Sequence, residues 1–336
     1  MEAFFASLGH HTNDTKEKGG LSSSEFVMKS LSGEEGKRNR KELLTHKILE
    51  IRKMRDVVSK YLTKIPRYVV DGRLRPTYSL HVTSTGRIAC RNPNLQNIIK
   101  GSDVRSIFRA GKGRLLISRD YDRIELVMLA WLANEPIMLE AIAKGEDIHQ
   151  TTADALGVTR SMAKTANFGI VYGQSIREFA STAGITDAEA AKFFKGFHNT
   201  FKAIKPYLES LDSIAHTGKA IVTPFGRHRI FEYSTRTYNR VQRQWRNYVL
   251  QSTASDICLH QGAILSKKLK ERYGDKAFIV NIVHDDIIVE CPRDDRMAVS
   301  NLMKKCMEDV STLPFKLPVP IRTGEKIGKS WKDITD

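Results

Sequence analysis

Cysteine is scarce in this sequence, and long apolar runs are missing from it. The four cysteines, Cys90, Cys258, Cys291 and Cys306, lie too far apart for a zinc motif or a disulfide framework. That usage implies a reducing compartment, most simply cytoplasm. No stretch reaches the roughly 18 apolar residues of a membrane span. The opening MEAFFASLGHH lacks the basic-then-apolar order of a secretory leader. Fixed-period repeats and low-complexity tracts are also absent. Acids are outnumbered: 54 Lys and Arg against 38 Asp and Glu give a formal charge of +16. Such an excess favours polyanion partners, because each phosphate neutralised releases a condensed counterion, although a merely soluble basic protein carries it too. What remains is a globular chain: 336 residues, 41% hydrophobic and 8% aromatic, suffice for a large core and one to three domains.

Along the chain, Leu44, Ile48, Ile51, Met54, Val58 and Leu62 recur at spacings of three and four and predict a long helix. Residues 36–67 hold eleven Lys or Arg against three acids, so the opposite face is basic, which suits phosphate contact or an ordinary solvated face. From Tyr78 to Phe108 the pattern is short strands and turns. Arg114–Ser118 reads as a buried strand with an apolar helix, Ile124–Ala133, behind it. Residues 136–216 are mainly helical, Pro224-Phe225-Gly226 marks a turn, and a helix runs from about Arg236 to Leu269. Ala277–Val283 and Ile287–Glu290 form a tight hairpin about His284-Asp285-Asp286. Helices between distant strands imply an α+β fold.

Two acids, Asp120 and Asp285, sit at the end or turn of apolar strands. Carboxylates held at a sheet edge from distant segments could bridge a pair of Mg²⁺ ions, activating a hydroxyl and stabilising a leaving phosphate. Asp is also common in turns for its own backbone chemistry. A third pattern places Arg160, Lys164, Phe168 and Tyr172 at successive spacings of four, a slowly winding stripe on one helix face. Two cations followed by two rings suit a nucleotide laid lengthwise, phosphates at one end and base at the other; amphipathic core packing would also explain the rings.

RSMAKTANFGIVYG resembles the R-x3-K-x6-YG motif of family A DNA polymerases. RDYDRIEL is similar to that family's motif A and VHDD to its motif C. TSTGRIACRNPNLQNI, RQWRNYVLQSTASD and VPIRTGEKIGKSW resemble further family segments, all in the family's order. The resemblance covers essentially the whole chain and implies the polymerase portion of such an enzyme. It implies a right hand: a partial helical thumb at 1–76, an antiparallel palm sheet from 77–135 and 241–336, and helical fingers at 136–240. The reaction implied is addition of dNTPs to a primer 3′-OH with two Mg²⁺ ions, Mn²⁺ being a substitute. Asp120 and Asp285 would hold the metals, aided by the Tyr121 carbonyl. Arg160, Lys164 and His149 would hold the triphosphate, Phe168 and Tyr172 would pack on sugar, base and template, and Glu125 with Tyr121 would gate the sugar. Arg87, Asn97, Arg243, Asn247, Gln251 and His284 would meet the primer–template. A bacterial or infected-host cytoplasm is the setting this resemblance suggests.

Departures from the family pattern are local. Asp286 stands where motif C has Glu, one methylene shorter, and is expected behind the metal site instead of on it. Asp122 and Arg123 replace Ser and Gln, Val127 replaces Arg, Ser252 replaces Gly and Ile99 replaces Pro. Other readings are a single-subunit phage-type RNA polymerase, opposed by Glu125; a metal phosphohydrolase on His284-Asp285, which needs further His ligands; and an inactive DNA-binding module, opposed by retention of both aspartates. No D-x-E cluster lies in an upstream strand, so the chain is expected not to proofread. Met1–Gly9 resembles a mid-thumb helix, so this is either a trimmed chain or one whose missing half is a separate polypeptide. The apolar Phe4, Phe5 and Leu8 favour the second, a partner that completes the thumb and could carry an exonuclease.

Overall fold

The computed structural model describes residues 16–17, 20–21, 40–99 and 103–335; Phe4, Phe5 and Leu8 lie outside the described residues. The chain divides into two units, Met1–Pro76 and Thr77–Asp336. In the first, α1 (Arg40–Val57) continues into one π-helical turn, Val58–Leu62. The three-and-four spacing does form a helix, yet Leu44, Ile51, Met54, Val58 and Leu62 are exposed on it. Periodicity reports which side chains share a face; it does not report what covers that face. Pro66 opens the next 3₁₀ turn, and Asp71-Gly72, with φ of 51° and 69°, turns the ribbon of Val69–Val70 and Arg73–Leu74. Paired positive φ is what a two-residue hairpin turn requires.

The second unit is built on a four-stranded antiparallel sheet. Its forerunner is a short ribbon, β1 (Thr77–Ser79) with β2 (Ala89–Arg91). The sheet strands are β3 (Arg114–Tyr121), β4 (Phe278–Val283), β5 (Asp286–Pro292) and β6 (Thr323–Gly328), in the order β4-β5-β3-β6. The Tyr78 hydroxyl donates to Asn281 Oδ1 at 2.7 Å, and Gln96 Nε2 donates to the Ile282 carbonyl at 3.0 Å, docking the ribbon region on β4. Leu115, Leu116 and Ile117 form an unbroken buried run, as a strand covered on both faces should. That strand runs on to Tyr121, past the expected end at Ser118. The next residue, Arg119, is charged yet buried. Its guanidinium donates to the Ser300 carbonyl and hydroxyl, Thr323 Oγ1 and Glu325 Oε2.

Helix α2 (Ile124–Leu132) follows β3 and is buried almost throughout. Six helices come next: α3 (Pro136–Lys144), α4 (Ile148–Leu156), α5 (Arg160–Val171), α6 (Ile176–Ala183), α7 (Asp187–Thr200) and α8 (Ile204–His216). Local chemistry punctuates them. Glu135, Asp147, Thr159, Ser175 and Thr186 each accept a backbone N–H at a helix start, the last two within full capping boxes. Helix α9 (Tyr238–Tyr273, 36 residues) returns to the sheet, and α10 (Arg296–Met307) packs behind β3 and β5. One apolar cluster links Ile117 of β3, Met128 of α2, Phe197 of α7, Ile257 of α9 and Met303 of α10. Each such fully buried side chain stabilises by about 1.5–3 kcal/mol relative to exposure. A second cluster, with Phe231 and Tyr248 edge to face at 5.6 Å, anchors the start of α9. The fold class is α+β, as the pattern of elements implied. All four cysteines are free and buried. Among the described residues no helix is long and apolar enough to cross a membrane.

Candidate active site

The β4–β5 hairpin turns on two residues, His284 and Asp285, because Asp286 already belongs to the ladder opposite Asp120. The expected three-residue connection is therefore one residue too long. His284 takes φ +60°, a conformation usually left to Gly in such turns. The Tyr121 N–H donates to the Asp285 carbonyl at 3.3 Å. Sheet register thus brings Asp285 beside Asp120, close enough for each carboxyl to influence the ionisation of the other. Burial pushes the Asp285 carboxyl up, while His284, Arg87 and Asp120 draw it partly back. Two carboxylates this close repel when both are ionised, and a hard cation would relieve them.

Asp286 is paired with Asp120 in the ladder and lies on the same face of the sheet, but its carboxyl is held by Ser118. Ser118 Oγ donates to its Oδ1 at 2.7 Å, and burial, with Asp285 adding to it, raises its pKa to about 6. Among the described residues no group of three His, Cys, Asp or Glu side chains converges as a metal cage. Mg²⁺ needs none, since it binds through one or two carboxylates plus substrate phosphates and water. The oxygen donors here fit that pattern. Tyr121 requires a correction: its ring is buried and its hydroxyl donates to the Met307 carbonyl at 2.9 Å. Strand alternation sends the ring away from Asp120, and Tyr121 does not line the cleft that Glu125 and Asp285 line.

Glu125, in the first turn of α2, is buried and ion-paired with Arg87 at 2.5 Å. Burial raises its carboxyl, with Arg87 and the Tyr172 hydroxyl opposing. The cleft here is lined by Arg87, Glu125, Gln251, Ser255, His284 and Asp285. Three of the expected primer–template residues are therefore brought together with the carboxylates. Asn97 is not in this cleft; it ends the 3₁₀ turn docked through Gln96 on β4. Arg243 and Asn247 lie farther along α9, where Arg243 pairs with Glu178 at 2.8 Å and Asn247 Nδ2 donates to the Tyr172 carbonyl at 3.1 Å.

On α5 the expected stripe is present. Lys164 is exposed, Phe168 is half-buried, and Tyr172 ends the helix with its ring stacked on Phe168 at 6.2 Å. His149 lies 5.6 Å from the Phe168 ring and is buried. Burial lowers its pKa to about 4, Arg123, Arg160 and Lys164 adding to the effect and Asp147 opposing it. Asn167 Nδ2 lies 3.0 Å from His149 Nδ1. An amide nitrogen only donates, so Nδ1 accepts and the ring proton sits on Nε2. Sequence reasoning missed Asn167, Ser118 and above all Asp147. Asp147 Oδ2 binds Arg160 Nε at 2.7 Å, and its Oδ1 binds Arg123. An Asp two residues before His149 at a helix start was the available signal.

This geometry has known counterparts. The profile of DNA polymerase family A matches residues 1–333. The chain is similar to DNA polymerase I of Deinococcus radiodurans, 36% identical over 297 residues, which cover 82% of this chain and 31% of that protein. DNA polymerase I of Aquifex aeolicus is 31% identical over 301 residues, 84% of this chain and 50% of that one. The chain thus spans about a third of the length of the Deinococcus relative and half of the Aquifex one. Among solved structures, the POL domain of Pol1 from M. smegmatis, in complex with DNA primer-template and dNTP, aligns with a TM-score of 0.81 at 24% identity, covering 96% of this chain and 58% of that one. That likeness establishes a polymerase-domain fold. The chain belongs to DNA polymerase family A.

Proposed function

We propose that this chain extends a DNA primer with deoxynucleotides under the direction of a template. The observation that carries the reading is the closeness of Asp120 to Asp285, in a cleft whose Glu125 also senses Arg87 and Tyr172. Family membership supports the reaction class, and the primer-template and dNTP of the mycobacterial POL domain support the partners. Residues 77–135 and 241–336 would form the palm, 136–240 the fingers and 1–76 part of a thumb.

In this reading the primer 3′-oxygen attacks the α-phosphorus of a dNTP, and the bond to the β-phosphate bridging oxygen breaks to release pyrophosphate. Asp120, Asp285 and the Tyr121 carbonyl would hold two Mg²⁺ ions, with Mn²⁺ as a substitute; when bound, these lower the pKa of the attacking hydroxyl and neutralise the leaving group. Arg160 and Lys164 bind triphosphate oxygens, and neutral His149 donates from Nε2. Phe168 packs on the sugar and base, and Tyr172 on the template side. Glu125 occupies the space a 2′-hydroxyl would need. Arg87, Gln251 and His284 meet the primer terminus, and Asn97, Arg243 and Asn247 the duplex around it, through contacts that are nearly blind to sequence.

No 3′-trimming is assigned to these residues, in which no D-x-E triplet precedes Arg87. The exposed apolar residues of α1 support a companion polypeptide that completes the thumb and carries the exonuclease. Primer extension with labelled nucleotides is the primary test. Template-coded extension with dNTPs and Mg²⁺, poor use of ribonucleotides and no trimming of a mismatched primer are expected. Absence of extension with both Mg²⁺ and Mn²⁺ would sink the reading.

A further inference from the structure

Asp147 places a negative charge at the end of α5 where an incoming triphosphate, itself strongly negative, is to be held. It cannot swing away, because its Oδ1 accepts the His149 N–H at 2.9 Å and so caps α4. The same Oδ1 takes Arg123 Nη1, while Oδ2 takes Arg160 Nε at 2.7 Å and Nη2 at 2.5 Å. One carboxylate is thus divided between two guanidiniums, oxygen by oxygen.

The two arginines differ in freedom. Arg160 is 52% exposed and Arg123 31%. Arg123 sits at the β3–α2 junction with φ +53°, its carbonyl accepting from the Leu126 and Val127 N–H groups at 2.9 and 3.1 Å. Its backbone is fixed by the start of the helix that also carries Glu125. Arg160 sits at the first residue of α5, with its side chain out in solvent. We infer that Arg123 is the standing counter-ion of Asp147, which lets Arg160 exchange that carboxylate for the nucleotide triphosphate.

Without Arg123, the departure of Arg160 would leave an uncompensated, partly buried carboxylate beside the phosphates. Two costs would then add: the desolvated charge of Asp147 and its repulsion of the ligand. With Arg123 in place, Oδ1 stays neutralised and only Oδ2 loses its partner. Burial pushes the Asp147 carboxyl up, but the bonds from Arg160 and the His149 N–H, together with Arg123, hold it below the usual range, so it is ionised throughout the working pH range. Arg123 stands where the family pattern has an uncharged Gln, and Val127, one helical turn on, is a buried apolar residue where that pattern has Arg. Arg123 is a positioning residue, acting through Asp147 and Arg160 without touching substrate.

This inference rests on the polymerase reading, and single-nucleotide insertion by the full chain separates the two. Arg123→Gln should raise KM for the dNTP by roughly three- to tenfold, the size of one partly screened charge at this range, with kcat within about twofold. Arg123→Lys should stay near wild type, and adding Asp147→Asn to Arg123→Gln should bring KM back within about twofold of wild type, since the uncompensated charge is then gone. An unchanged KM in Arg123→Gln overturns the inference. So does a raised KM that Asp147→Asn fails to restore, which would mean that Arg123 meets phosphate itself. A wild-type chain that inserts no nucleotide would instead sink the polymerase reading, before any variant is compared.

Discussion

Asp120 and Asp285 are placed by backbone, whereas Arg160 is placed by another side chain. At the sheet end, ladder pairing of Asp120 with Asp286 and the Tyr121 N–H bond to Asp285 leave the carboxylates little room to move. On α5, by contrast, Arg160 is an exposed side chain held by a carboxylate it can leave. The two regions serve different needs. A reacting centre gains from geometry fixed before substrate arrives, because no reorganisation is then needed during the reaction. A ligand-gripping cation gains from a partner it can exchange, because its charge is kept neutral and solvent-tolerant until the ligand comes. Damage to the first region should therefore be nearly all-or-none, and damage to the second graded.

The steepest test is at the sheet end. Asp120→Ala or Asp285→Ala should lower primer extension by about a hundredfold or more, with duplex affinity within about twofold, since each would remove a proposed metal ligand and little packing. Residual extension above a few per cent would break the contrast, because a fixed centre has no substitute for either group. Glu125→Ala comes next. Opening space beside the sugar should cut discrimination against ribonucleotides by roughly ten- to a hundredfold, read as the ratio of kcat/KM for dNTP and NTP. Unchanged selectivity would put the gate elsewhere and leave Glu125 as the partner of Arg87 alone.

Much of this division was legible in the residues. RLLIS read as a buried strand and Ala277–Val283 as one arm of a hairpin because both are continuous apolar runs, and Asp120 and Asp285 stood out as charges at the end or turn. The four-residue spacing from Arg160 to Tyr172 placed the stripe before any coordinates did. What stayed hidden depended on partners remote in sequence. The continuation of the strand past Ser118 was hidden because the pairing of Arg119 with Ser300 and Glu325 cannot be read locally. Tyr121 was expected at the sugar from the family resemblance; the strand includes residue 121, and alternation turns its ring inward. Asp147 was hidden differently: its capping role is local, but its two arginines come from different elements.

A pH test sharpens the helix side. His149 has its pKa lowered from 6.5 to about 4 in the fold, chiefly by burial. The native state therefore binds fewer protons than the unfolded chain between those values. Its contribution is complete above about pH 6.5 and is lost as pH falls toward 4, amounting to at most about 3 kcal/mol. His149→Gln should flatten the fall of urea-unfolding stability across that window, while extension rates from pH 6 to 8 should show no step from this ring. A kinetic pKa near 6.5 that disappears in His149→Gln would mean the ring is charged at work and acts as a third cation.

The smallest effects belong to α1, whose charges would act at longer range through duplex phosphates. Each phosphate contact contributes about 0.9 to the slope of log affinity against log salt for duplex DNA. Lys53→Glu and Lys60→Glu should each lower affinity for every primer–template alike and reduce that slope by about one contact or less. The two should not be equal. Lys60 donates to Asp56 at 2.6 Å, so part of its field is already cancelled on the helix, and its reversal should cost less than that of Lys53. Filter binding over a salt series, on two duplexes of unrelated sequence, reads both quantities at once. Parallel lines of reduced slope for the two duplexes fit a helix that senses only phosphate. Lines that diverge by sequence would mean that α1 reads bases, and its basic face would then belong with the fixed, geometry-dependent contacts of the sheet end.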